Sequence, residues 1–92
     1  MLDATYLGFD DFVDLIRDRM GAADAHHPDR VHSFGHDLVP DVQNVPESWL
    51  ADALDSLRAQ GHVVRAASGP DPAARLSAAG RRYWRWSQDD AA

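Results

Sequence analysis

The sequence predicts a small α+β domain in which three helices are followed by a β-hairpin and a last helix. Three observations support this prediction. An apolar stripe at helical spacing occurs near the start of the chain, a second stripe rich in leucine leads to Gly61, and β-branched residues around a turn-rich segment follow it. The chain has 92 residues, which is the usual length of one domain, so residues 1–92 are expected to fold as a single unit.

The composition excludes several kinds of functional site and a membrane span. The chain has no cysteine, which excludes disulfides, thiolate metal sites and thiol nucleophiles. No apolar run approaches the ~20 residues of a membrane span, so we expect a cytoplasmic protein. The formal net charge of −6 is uneven, because residues 1–44 contain nine acidic residues and three arginines, whereas residues 45–92 contain six of each. An anionic partner should therefore meet the second half of the chain.

The first helix is predicted over residues 9–20. Acidic residues stand at its start, where the helix dipole favours them, and Gly21 suits its end. The apolar residues follow the i, i+3, i+4, i+7, i+11 spacing of one buried face: Phe9, Phe12, Val13, Ile16 and Met20. The same helix has four aspartates outside the apolar stripe: Asp10, Asp11, Asp14 and Asp18. We expect them to form a solvent-facing surface rather than a catalytic site.

A loop over residues 22–30 and a short second helix are expected next. Residues 27–29 (HPD) are typical of a turn, and Val31, Phe34 and Leu38 then repeat at helical spacing until Pro40. His32 and His36 are four residues apart and would share a helical face, as metal-ligating pairs do. No third ligand stands at a diagnostic spacing, so we expect solvated histidines and no bound metal at the cluster formed by His26, His27, His32 and His36.

The third helix is predicted over residues 46–60. Asn44 suits the N-cap with Glu47 three residues later, and Pro46 is acceptable in a first turn. Gly61 has the position of a left-handed residue that ends the helix. The buried stripe consists of Leu50, Ala53, Leu54 and Leu57, with Trp49 at its margin.

A hairpin and a last helix complete the predicted elements. Residues 62–67 (HVVRAA) contain β-branched side chains, residues 68–72 (SGPDP) are turn-forming, and residues 73–76 (AARL) can return as a second strand. Ser77 can then cap a helix that runs to about Trp86, with Ala79, Tyr83 and Trp86 on one side.

This order of elements resembles the winged helix-turn-helix superfamily, especially its MarR- and PadR-like forms. In those families a helix ends in leucines and glycine, a strand and a turn-rich wing follow, and a Leu-Ser/Thr-x-x-Gly-Arg pattern opens another helix. This chain has the same order, with Leu57 and Gly61 at the end of the helix and residues 75–81 (RLSAAGR) at the start of the next one. The resemblance extends over residues 46–84. It implies a small winged helix-turn-helix domain with three helices, a two-stranded wing and a C-terminal helix.

The resemblance also implies a DNA-binding transcriptional regulator in which the helix over residues 46–60 enters the major groove. The implied contacts to double-stranded DNA are Ser48, Arg58, Arg65, Arg75, Arg81, Arg82 and Arg85. A homodimer joined through the C-terminal helix is expected as well. Its interface, or that with another protein, would contain the large aromatic residues Trp49, Tyr83, Trp84 and Trp86.

An alternative follows from the charges of the third helix. Its exposed face has Asp52 and Asp55, which would meet DNA phosphates with like charge. The alternative is an acidic winged-helix module that binds another protein and no DNA, through its exposed tryptophans or a hairpin edge. Arginines gathered on one surface would favour DNA, and arginines that scatter or pair with aspartates would favour a protein partner. No catalytic group of residues and no phosphate-binding glycine loop is recognisable, so we expect neither an enzyme nor a cofactor.

Overall fold

The computed structural model describes residues 2–67 and 69–91, which contain three α-helices, five short strands, a 3-10 helical turn (Ala4–Tyr6) and a π-helical turn (Phe34–Leu38). The helices are α1 (Phe9–His26), α2 (Trp49–Ala59) and α3 (Ala78–Ala91). The strands are β1 (Leu2–Asp3), β2 (His32–Ser33), β3 (Val42–Gln43), β4 (Val63–Ala67) and β5 (Ala73–Leu76). The α+β class predicted from the sequence is confirmed. Within these residues, no helix combines the length and the apolar character needed to cross a membrane.

The hairpin of β4 and β5 belongs to a three-stranded antiparallel sheet with the order β2-β5-β4. Val63 lies opposite Leu76 and Arg65 opposite Ala74, with an irregularity in the register between Arg65 and Ala67. The hairpin was predicted at these positions, and the structure confirms it. Ser68, in the predicted turn, lies outside the described residues. Separately, β1 and β3 pair in parallel near the start of the chain.

The core lies between α1, α2 and the inner side of the sheet. The α1 stripe is buried almost as the sequence predicts, because Phe12, Ile16 and Met20 are fully inaccessible to solvent while Phe9 is half-buried. Residues from the other elements complete the core: Phe34, Leu38, Ala53, Leu54, Leu57, Val63, Ala74 and Leu76. Burial of these side chains supplies the main driving force for folding.

The end of α1 differs from its prediction. The helix continues through Gly21 to His26, so part of the expected loop is helical. Gly21 is buried because the ring of Trp84 from α3 lies directly on it, and a Cβ atom there would overlap that ring. The glycine therefore allows two helices to approach closely instead of ending one of them, a role that no local pattern distinguishes from a helix stop.

The second predicted helix is present only as one turn, which is π-helical, and its first residues form a strand instead. Residues 32–33 form β2, which pairs with β5, and Phe34–Leu38 form a single π-helical turn closed by the Val39 N–H bonded to the Phe34 carbonyl at 3.0 Å. Phe34 and Leu38 are buried as expected, whereas Val31 is exposed. Pairing with a strand more than 35 residues away overrides the local helical spacing.

The start of α2 also differs from its prediction. The helix begins at Trp49, and the predicted cap Asn44 lies outside it in the left-handed region with a φ of 59°. The Asn44 side-chain amide donates to the Asp3 carboxylate at 3.0 Å instead of capping. A polar side chain that tolerates left-handed backbone suits a turn as well as a cap, so the sequence alone does not separate these roles.

The end of α2 confirms the role predicted for Gly61. Its φ is 74°, its N–H bonds to the Arg58 carbonyl at 2.9 Å, and the His62 N–H bonds to the Leu57 carbonyl at 3.0 Å. No atom lies within 4 Å of the place of an added Cβ, so the cost of a side chain comes from the backbone alone. We expect Gly61→Ala to lower the free energy of unfolding by about 1 kcal/mol in urea titrations. Gly61→Asn should lose less, and equal losses would contradict this explanation.

The last helix starts as predicted but packs on another side. Ser77 accepts the Gly80 N–H at 3.0 Å, which confirms the cap, and α3 continues to Ala91 beyond the predicted end near Trp86. The side that packs on the domain is that of Gly80 and Trp84, because Gly80 lies against the His62 carbonyl and Leu76 and Trp84 covers Gly21 of α1. The expected side of Ala79, Tyr83 and Trp86 leaves the two aromatic rings exposed.

Candidate interaction surface

Arg81, one of the predicted DNA contacts, is bound within the domain. Its Nε donates to Asp24 at 2.7 Å and its Nη2 donates to Asp29 at 3.0 Å, and the Asp24 side chain is only 5% exposed. The Arg81 guanidinium holds the pKa of Asp24 below its usual value, despite the opposing effect of burial. The cluster joins the last turn of α1 and the loop after it to the first turn of α3.

Three further predicted contacts lie on α2 and the hairpin. Arg58 stands 3.9 Å from Asp55 on the exposed face of α2, which also has Asp52. Arg65 lies opposite Ala74 and Arg75 lies opposite Val64. Because neighbouring strand residues point to opposite faces, these two arginines belong to different faces of the hairpin.

The remaining predicted contacts are also separated. Ser48 is exposed immediately before α2, and Arg82 and Arg85 are exposed on α3. The seven predicted contacts are therefore distributed over the start and the exposed face of α2, both faces of the hairpin, and α3. Two of them stand beside aspartates, Arg58 beside Asp55 and Arg81 beside Asp24 and Asp29.

Two of the four predicted interface aromatics are half-buried against other parts of the domain. Trp49 is half-buried, with its ring 5.6 Å from Phe9 and 5.2 Å from Phe12 between centroids. Trp84 covers Gly21 and its indole N–H donates to Asp18 at 3.1 Å. The other two, Tyr83 and Trp86, remain on the surface.

Tyr83 and Trp86 form an exposed aromatic strip on α3, and the half-buried ring of His62 borders it. The ring centroids of His62 and Tyr83 are 4.7 Å apart and those of Tyr83 and Trp86 are 6.1 Å apart. Tyr83 is 39% exposed and Trp86 is 64% exposed. Burial, and to a lesser extent the nearby Arg17, lower the pKa of His62, which favours its neutral imidazole.

A groove between α1 and α3 lies beside this strip. It has a volume of about 300 Å³ and is lined by Asp14, Arg17, Asp18, Tyr83, Trp84 and Ser87. We call it the α1/α3 groove. Carboxylates and aromatic rings thus meet at one surface, and the two helices that supply them are held together by the Gly21–Trp84 contact.

Sequence reasoning missed this groove. The helical spacing predicts solvent-facing positions for Asp14 and Asp18, and Arg17 suits the negative end of the predicted helix, but none of these three is predicted to lie beside α3. Asp18 meets Trp84 across 66 residues of chain, so no local spacing indicates their contact. The one available signal was the density of aromatic residues in 81–86 (RRYWRW).

The histidine cluster is not arranged as a helical pair. His32 lies buried in β2, whereas His36 is exposed on the π-helical turn. His26 and His27 are exposed at the end of α1. Within the described residues, no three acidic or histidine side chains come together in a way that could hold a metal ion.

Comparisons with protein-family models, with curated proteins and with solved structures found no match to this chain.

Proposed function

We propose that this domain is a winged-helix protein-interaction module, not an enzyme, that binds another polypeptide through the exposed aromatic strip on α3. The order of elements supports the winged-helix assignment, because α2 ends at Gly61 and is followed directly by the hairpin and then by α3. This order matches the resemblance described above. The function is argued from the surface, since one fold serves many functions.

The observation on which the proposal rests is the exposure of Trp86 beside Tyr83. Tryptophan and tyrosine are enriched at protein interfaces, where they contribute much of the binding energy. Two of the three tryptophans contact other elements of the domain, but Trp86 is 64% exposed. Burial of this ring against a partner would be favourable without any change in the core.

The charges support the same proposal. Non-specific DNA affinity comes from cations that neutralise phosphates. Arg81 is already paired with Asp24 and Asp29, and the exposed face of α2 has Asp52 and Asp55. A protein partner needs no continuous basic surface.

The first test places a photo-crosslinking phenylalanine analogue at Trp86 in the cells from which the chain originates. We expect adducts of defined mass, because position 86 would lie within the interface. Tyr6 is the matched control position, since it is 87% exposed and its 3-10 turn, Ala4–Tyr6, does not pack extensively against α3. Adducts that form equally at both positions, or at neither position, would contradict the proposal. Trp86→Ala should fold normally, within about 0.5 kcal/mol of the wild type.

DNA binding is the second candidate, favoured by the exposed Arg65, Arg75, Arg82 and Arg85. An electrophoretic shift assay with random duplex at low salt separates the two functions. The interaction module should give no retarded band. A band that fades with added salt, and that weakens in the double variant Arg82→Gln with Arg85→Gln, would favour the DNA-binding regulator instead.

A further inference from the structure

The α1/α3 groove has an excess of negative charge that the domain does not neutralise. Asp18 receives hydrogen bonds from two neutral donors, the Trp84 indole at 3.1 Å and the Gln88 amide at 3.2 Å. Among the side chains that the structure describes, none forms an ion pair with Asp18. Its carboxylate is exposed at the edge of the groove.

The one cation among the described residues that line the groove is already engaged. Arg17 donates to Asp14 at 2.8 Å and to the Gln60 side chain at 2.7 Å, and its guanidinium lies 4.8 Å from the centroid of Tyr83. Its side chain is 8% exposed, whereas that of Asp14 is 67% exposed. Arg17 therefore holds Asp14 and Tyr83 in place and leaves Asp18 available to another cation.

The dimensions of the groove suit one side chain. Its volume of about 300 Å³ lies at the lower end of the range for small-ligand pockets. Tyr83 and Trp84 form walls that can cover the methylene groups of a long side chain, while its charged end remains at the edge. Lysine and arginine have this combination of an apolar stem and a charged end.

The surroundings of the groove point to the same kind of partner. Asp10, Asp11, Asp14 and Asp18 are all exposed on α1. Such a field increases the rate at which an oppositely charged partner associates and selects its orientation. Trp86 is next to Tyr83, so a chain that enters the groove would pass over the aromatic strip.

We propose that the α1/α3 groove binds a basic segment of a partner polypeptide, with one arginine or lysine side chain placed between the Asp18 carboxylate and the Tyr83 and Trp84 rings. This inference rests on the proposed protein-interaction function and specifies the chemistry of the partner. The charged end would form a hydrogen-bonded ion pair with Asp18, which is stronger than a hydrogen bond between neutral groups.

The test uses a capped hexapeptide of alternating glycine and arginine, titrated into the ¹⁵N-labelled protein and followed by NMR. The Trp84 indole N–H should shift on titration because it bonds directly to Asp18, and the Gln88 side-chain amide should shift with it. The signal of the Trp49 indole N–H should not shift, since that ring packs edge-on or tilted against Phe9 and Phe12. A matching peptide with glutamate should cause no change, and added salt should weaken the arginine peptide.

A pair of charge-matched variants makes the test specific. Asp18→Asn removes the charge and keeps a carbonyl oxygen for the Trp84 indole, so the affinity should fall about tenfold. Asp11→Asn removes the same charge from an exposed position of α1 that does not line the groove. Its affinity should change less than about twofold, through the general field alone.

Several results would overturn the inference. These are an unmoved Trp84 signal, an equal response to the glutamate peptide, or equal losses in Asp18→Asn and Asp11→Asn. Shifts of Trp84 on dilution without peptide would identify a second copy of this chain as the occupant and would also overturn it. Crosslinking at position 86 tests the interaction function separately, so adducts can form there even if the arginine peptide does not bind in the α1/α3 groove.

Discussion

Gly80→Ala is expected to destabilise the domain strongly, by about 3 kcal/mol or more. In an isolated helix the same change would be stabilising by about 1 kcal/mol. Here the added Cβ would overlap the carbonyl oxygen of His62 and stand 2.8 Å from Cδ1 of Leu76. The His62 carbonyl accepts the Ser77 N–H at 2.9 Å, so it cannot turn away without loss of that bond. The start of α3 would have to move off the hairpin.

Urea denaturation followed by far-UV circular dichroism measures this effect. Gly8→Ala is the matched control, because its Cβ would stand 3.6 Å from the nearest Asp11 oxygen, an ordinary contact. We expect Gly8→Ala to remain within about 0.5 kcal/mol of the wild type. If Gly80→Ala were as stable as this control, α3 would not approach the hairpin as closely as the structure shows.

Asp24→Asn should have the second large effect, a loss of about 2 kcal/mol in the free energy of unfolding. The substitution keeps the shape of the side chain but leaves the Arg81 guanidinium without its main counter-charge. Removal of one partner from a fully buried ion pair costs about 3–5 kcal/mol. We expect less because the Arg81 side chain is 27% exposed and can still reach water and Asp29.

The dependence of this loss on pH identifies its cause. The pKa of Asp24 is lowered in the folded protein, chiefly by Arg81, whereas an aspartate in an unfolded chain has a pKa of about 3.9. The contribution of Asp24 is therefore complete above about pH 4 and is lost as the pH falls through the lowered pKa. The difference between the wild type and Asp24→Asn should shrink over that range.

Asp55→Asn is the control for a surface pair, since its side chain is 75% exposed and stands 3.9 Å from Arg58. Such a pair contributes roughly 0–0.5 kcal/mol, so this variant should be close to the wild type at neutral pH. Thermal or urea unfolding of the three proteins between acid and neutral pH provides the comparison. A loss that does not depend on pH would mean that packing at Asp24, not its charge, stabilises the domain.

The helices and the hairpin could be predicted because their signals are local. The spacing of Phe12, Ile16 and Met20 identifies a buried helical face by itself, and Gly61 ends α2 where its position indicates. The predictions of local structure failed at positions where contacts with a distant segment outweigh the local signal. Residues 32–33 have helical spacing around them, yet they pair with β5, and Gly21 suits a helix end but accommodates Trp84.

The candidate site shows the same division between local and distant information. The aromatic character of residues 81–86 was evident from the sequence, but the side of α3 that faces outward was not. Trp84 lies inward because Gly21 provides space for its ring, whereas Trp86, two residues later, lies on the surface. The role of Arg81 likewise depended on Asp24, which is 57 residues away.

By itself, the amino-acid sequence determined the α+β class, the positions of α1, α2 and the hairpin, and the concentration of negative charge in the first half. Hydrophobic spacing, turn residues and composition act over a few residues, so they can be recognised in the chain alone. Only the tertiary structure decided which arginines are paired, which tryptophan is exposed, and that Asp18 and Trp84 border one groove. Those properties depend on contacts between α1 and α3, and distance along the chain gives no measure of proximity in space.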